Sequence, residues 1–200
     1  MTAAILILLT ALSLGVVVVR RRSFAVGIVT VQALLLAAVA MTVDHDPIGG
    51  GAFALRGAVL AVFFLFFIRR TREPRPVRAG MPPLARAGIA VALALLAIWL
   101  IPDYGLEVSA AQRAALTIIA FGLATAATHR ATLFQVLGII LVENGLALAA
   151  LALPGESSLV IEFGVTLDLL LIALIAGVFH ERIFAQFGTG DSAPLRSLHD

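Results

Sequence analysis

Long apolar runs, each close to twenty residues, alternate along this chain with short polar or proline-bearing breaks. The runs fall at 2–19, 23–43, 50–68, 85–101, 108–127, 131–153 and 159–180. A transmembrane helix needs about 20 mostly apolar residues, so each run is long enough to cross a bilayer. The breaks are Arg20–Arg21–Arg22, Asp44–His45–Asp46–Pro47, the long segment Arg69–Leu84, Pro102–Asp103–Tyr104–Gly105–Leu106–Glu107, His129–Arg130 and Pro154–Gly155–Glu156–Ser157–Ser158. This pattern predicts an all-α, polytopic membrane bundle of about seven transmembrane helices over residues 1–184. A polar, glycine- and proline-bearing tail follows at 185–200.

The breaks also alternate in charge. Those at 20–22, 69–84 and 129–130, and the tail after 180, carry arginine; those at 44–49, 102–107 and 154–158 carry none. Cytoplasmic loops are enriched in Lys and Arg, so the alternation places the N-terminus outside and the C-terminus in the cytoplasm. The first run is read as a retained helix, because a signal peptide carries its positive charge before the apolar stretch and here the arginines follow it. The 69–84 segment holds five arginines and four prolines, which disfavour helix; it is the one candidate linker, draped over the cytoplasmic surface.

Composition narrows the class further. Hydrophobic residues make up 61% and charged residues 13% of the 200, and the mean hydropathy is +1.07. Soluble domains run about 45–50% apolar and about 25% charged, so this chain lacks the charge to cover a water-facing surface. A net charge of +2 on so few charges gives no argument for nucleic acid. There is no cysteine, which excludes thiolate metal sites, iron–sulfur clusters and disulfides within the chain. His45, His129, His180 and His199 are scattered, with no pair at metal-ligand spacing. Gly49–Gly50–Gly51 lacks the strand before it and the Lys-Ser or Lys-Thr after it that a phosphate loop needs; it reads as close backbone packing, as do Gly138, Gly145, Gly164 and Gly177. The Phe63–Phe64–Leu65–Phe66–Phe67 run reads as lipid-facing. No catalytic, metal or cofactor site is expected in this chain.

The informative positions are ionisable groups inside the spans, each costing about 2.5–3.5 kcal/mol at a helix centre on insertion scales. Five qualify: Arg56, Arg113, Glu143, Glu162 and Asp168. Arg56 and Arg113 lie about one and a half turns from the outer ends of their runs, within snorkelling reach of the headgroups. They read first as anchors and second as ion-pair partners. Glu143 and Asp168 lie near the middle of runs six and seven, at positions symmetric about the turn near 155–156, and so at equal depth. Glu162 lies roughly 9 Å nearer the outer face and points about 120° away from Asp168. Asn144, Gln135, Thr132 and Thr166 supply polar neighbours. A carboxyl poised between desolvation and a nearby cation can exchange protons, which ion conduction requires; the other reading is that these acids are packing groups holding the bundle together.

Three stretches carry a resemblance. Val142–Glu143–Asn144–Gly145, then Glu162–Phe163–Gly164 with Asp168, then Phe187–Gly188–Thr189–Gly190–Asp191 leading to Leu195–Arg196–Ser197–Leu198 resemble the hydrogenase-4 component E family. Its members are membrane subunits of formate hydrogenlyase-type and other group 4 hydrogenase-related complexes. The last three runs, about 108–184, also resemble the small three-helix membrane subunit of respiratory complex I and of multi-subunit cation/proton antiporters. Asp168 falls where that subunit has its third-helix Glu, and Glu143 lies about one turn from its second-helix Glu. The resemblance implies a non-redox subunit in the inner membrane of a prokaryote, beside an antiporter-like subunit, contributing to proton or sodium translocation while other chains hold the metal centres. A structural adaptor that anchors peripheral subunits is the rival expectation, and a stand-alone small-solute transporter a weaker third.

Overall fold

The computed structural model describes residues 3–43, 47–71, 81–101 and 109–151, together with Gly177. Six helices account for nearly all of them: α1 (Ala3–Val18), α2 (Arg22–Val43), α3 (Pro47–Thr71), α4 (Pro83–Leu100), α5 (Ser109–Thr128) and α6 (Thr132–Leu151). They coincide with the first six apolar runs. The seventh run, with Glu162, Thr166 and Asp168, and the tail at 185–200 lie outside the described residues. Among the described residues there is no strand.

Proline marks the boundaries as its chemistry requires. α3 begins on Pro47 and α4 on Pro83, the first helical position, where a missing N–H costs nothing. α4 ends as Ile101 turns extended, at φ −100° and ψ 105°; the next residue is Pro102, whose ring disfavours helix in the residue before it. Five of the helices, α2 to α6, are long and apolar enough to cross a membrane, whereas α1 has 16 residues and spans about 24 Å. With this composition the fold defines a multi-pass helical membrane protein.

α5 and α6 pack closely because glycine faces glycine. A methyl group built on Gly138 would fall 2.6 Å from the Gly122 carbonyl oxygen and 2.6 Å from the Ala126 nitrogen. One built on Gly145 would meet Ile119 Cγ1 at 2.6 Å. Backbone approach of this kind is how helices associate where lipid is as apolar as leucine. α2 receives α3 in the same way, with Gly57 against Ala33 and Gly50 against Met41.

α1, α2, α6 and α5 close a ring of contacts, with α3 and α4 packed on its outside. α3 packs against α2, α2 against α6 and α1, α1 and α6 against α5, and α4 against α5 and α1. α3 and α4 accordingly expose large apolar side chains such as Val62 and Trp99. One correction concerns the phenylalanine run. Phe64 is buried against Leu60, Leu133 and Leu137, while Phe63 and Phe67 close on Gly177; only Phe66 is well exposed. A five-residue aromatic run circles its helix, so part of it must meet the bundle.

Candidate functional site

A chain of buried polar side chains crosses the middle of the bundle. Gln32 is ten residues from either end of the Arg22–Thr42 span, and it is fully buried. Its Nε2 donates to Ser13 Oγ at 2.7 Å and to the Leu9 carbonyl at 3.1 Å, both on α1. Its Oε1 accepts from Asn144 Nδ2 of α6 at 3.1 Å. Asn144 Oδ1 in turn accepts from Arg56 Nη2 of α3 at 2.6 Å. Ser13 Oγ completes the run by donating to the Leu9 carbonyl at 2.9 Å. Four helices are thus tied by groups that would each be costly to bury alone.

Glu143 joins at the Arg56 end. Arg56 Nη1 lies 3.6 Å from Glu143 Oε2, an ion pair rather than a hydrogen bond. The Arg56 side chain is 2% exposed and that of Glu143 14% exposed. The Phe53 ring lies 5.4 Å from the guanidinium carbon, within cation–π range. The guanidinium fork therefore divides its two terminal nitrogens between a neutral amide and a carboxylate.

The expectation that Arg56 snorkels to the headgroups is overturned. α3 starts at Pro47, so Arg56 lies nine residues into the helix, about 13 Å along it. Buried acceptors on α6 hold it there. Arg113, by contrast, is exposed on α5. Gln135 also differs from expectation: it is eight residues from Glu143 and donates from Nε2 to the His129 carbonyl at 3.3 Å. It belongs to a second cluster.

That cluster lies where the C-terminal ends of α1 and α5 meet the N-terminal ends of α4 and α6. Arg86, in the first turn of α4, is the largest fully buried side chain among the described residues. Its Nη1 donates to His129 Nε2, and its Nη2 donates to the Val18 carbonyl at 3.2 Å. Because arginine only donates, His129 Nε2 is an acceptor, and the ring proton sits on Nδ1. Nδ1 then donates to the Thr125 carbonyl at 3.0 Å. Phe134 stacks on the imidazole with centroids 4.4 Å apart and planes 9° from parallel. Burial first, and the Arg86 charge second, push the His129 pKa down to about 4, against the opposing pull of the Thr125 and Val19 backbone groups. His129 is thus a neutral ligand for a buried cation.

Sequence reading missed Ser13, Gln32, Arg86 and His129 as parts of these clusters. Gln32 carried a signal, since an amide at the centre of an apolar span needs a partner. Arg86 is the second residue of the fourth run and is absent from the five intramembrane ionisable groups singled out there. Among the described residues no group of three or more His, Asp or Glu side chains could hold a metal ion.

No family model matches the chain, and no solved structure matches it. The uncharacterized protein Rv0085 of Mycobacterium tuberculosis is 31% identical over 87 residues, which cover 44% of this chain and 40% of that protein. The matched stretch thus spans well under half of the relative's length.

Proposed function

We propose that this chain is a non-redox membrane subunit of a hydrogenase-like or complex I-like respiratory complex. In this reading Glu143 takes part in moving protons, or sodium, across the membrane. The observation that carries it is the buried Arg56–Glu143 pair near mid-span, since intramembrane ionisable residues are functional-site hypotheses by default. Arg56 supplies a fixed positive charge and Glu143 the group that gains and loses a proton. Asp168 and Glu162 act with Glu143, and the loop arginines place the Arg-rich end in the cytoplasm. Resemblance of the 131–198 stretch to the hydrogenase-4 component E family supplies the kind of complex.

Purification under mild detergent tests this. The reading expects recovery with a large hydrogenase-like subunit and an antiporter-like membrane subunit. A lone chain or a homodimer contradicts it. The rival, a structural adaptor, draws on the Arg86–His129 cluster, which joins four helix ends with no acid among the described residues. It shares the co-purification outcome and differs in leaving ion movement unchanged when Glu143 is neutralised.

A further inference from the structure

Arg86 is 1% exposed, yet both partners of its terminal nitrogens are neutral, the His129 imidazole and the Val18 carbonyl. Its Nε finds no hydrogen-bond partner among the described residues. A buried cation calls for a compensating anion, because an unpaired charge in a low-dielectric interior is costly. Glu143 is the one carboxylate among the described residues, and it is taken by Arg56 at mid-bundle.

Among the described residues, what surrounds Arg86 at the surface is more positive charge. It contacts the last turn of α1 and the start of the α5–α6 turn, so the tight turns at 19–21 and 129–131 lie side by side over it. Arg20, Arg21 and Arg130 are exposed on those two turns, and Arg22 is buried beneath them. Neutral His129 adds no negative charge and, with a pKa of about 4, no positive charge at neutral pH. The low-dielectric bundle beneath these turns focuses the field outward. Turns between membrane helices sit at headgroup depth, where the anion at hand in high local concentration is a lipid phosphate.

We propose that the paired turns at 19–21 and 129–131 bind the phosphate of an anionic phospholipid headgroup, with Arg20 and Arg21 as contacts and Arg86 as the buried charge behind them. The bound lipid compensates Arg86 and fastens α1–α2 to α5–α6 at this end. It is a site apart from the Arg56–Glu143 pair and does not rest on the proposed ion translocation.

The test uses the full chain, purified in detergent and supplied with phosphatidylglycerol, phosphatidylcholine or inorganic phosphate. Native mass spectrometry reads retained lipid, and thermal unfolding reads stabilisation. The site predicts preferential retention of phosphatidylglycerol, with each of Arg20→Gln and Arg21→Gln weakening it about fivefold, as one arginine near an anionic surface does. Both positions are exposed, so the variants keep the fold. Equal retention of both lipids, or insensitivity to Arg20 and Arg21, overturns the site. Stabilisation by inorganic phosphate equal to that by phosphatidylglycerol, or recovery of an acidic protein on these arginines with no lipid, overturns the lipid as its occupant.

Discussion

Two arginines, Arg56 and Arg86, are almost equally hidden, at 3% and 1% exposure, and the bundle treats them differently. Arg56 is given a carboxylate at 3.6 Å and an amide oxygen at 2.6 Å. Arg86 is given an imidazole and a backbone carbonyl. The first set contains a group that can exchange a proton next to a fixed charge; the second holds its histidine neutral. The contrast separates a charged pair at mid-bundle from a cluster that joins helix ends. It also follows the polar chain: from Arg56 through Asn144 and Gln32 every donor points toward α1, ending on the Leu9 carbonyl. An amide chain of that polarity orients the arginine and carries no proton of its own.

The largest expected effect sharpens the end cluster. A histidine whose folded pKa lies below its unfolded value of about 6.5 adds stability that is full above that value and is lost as pH falls toward the folded pKa. With His129 at about 4, the window is pH 6.5 to 4, and the loss across it is on the order of 3 kcal/mol. Thermal unfolding in detergent should therefore drop from pH 7 to pH 4.5. His129→Gln, which can still accept from Arg86, should flatten that slope. An unchanged slope in the variant means that another group carries the acid sensitivity.

The middle cluster breaks differently. Arg56→Met leaves Glu143 without its cation and should cost about 2–3 kcal/mol, below the usual range for a buried pair because Glu143 is 14% exposed. Adding Glu143→Gln should recover much of that loss. If the double variant is no more stable than Arg56→Met, the two groups are not coupled.

Helix approach comes next in size. Gly138→Leu places a side chain where a single methyl already falls 2.6 Å from two backbone atoms, and it should cost at least about 1–3 kcal/mol by forcing α5 and α6 apart. A stable, assembled Gly138→Leu chain would contradict the close α5–α6 contact. The smallest effect is expected at Gln32→Leu, which leaves Asn144 and Ser13 each short of one partner at about 1–2 kcal/mol. Gln32→Glu is the informative companion, since it keeps an acceptor for Asn144 while adding a second carboxylate to the chain.

Much of this architecture was legible in the residues. Six apolar runs matched six helices to within three residues at most ends, because run length and proline placement constrain membrane helices strongly. Glu143 and Asn144 stood out for the same reason, as polar groups at a span centre. For Arg56 the ion-pair reading matches the structure and the anchoring one does not, because its depth was counted from residue 50, whereas the helix begins on Pro47 and the arginine's acceptors lie on α6, far away in sequence. Gln32 and Ser13 escaped because a neutral side chain barely lowers the hydropathy of a long apolar run. The His129–Arg86 contact joins residues 43 positions apart, and no local pattern announces it. The expected pairing of Glu143 with Asp168 lies outside the described residues.

The most direct measurement is proton movement in sealed vesicles carrying the assembled complex, with subunit recovery checked in the same preparation. Glu143→Gln and Asp168→Asn keep shape and hydrogen bonding while removing the titrating protons. The account predicts that the double variant assembles with its partner subunits and sustains redox turnover without coupled proton translocation. Full translocation by an assembled double variant would contradict it and leave these carboxylates as packing groups.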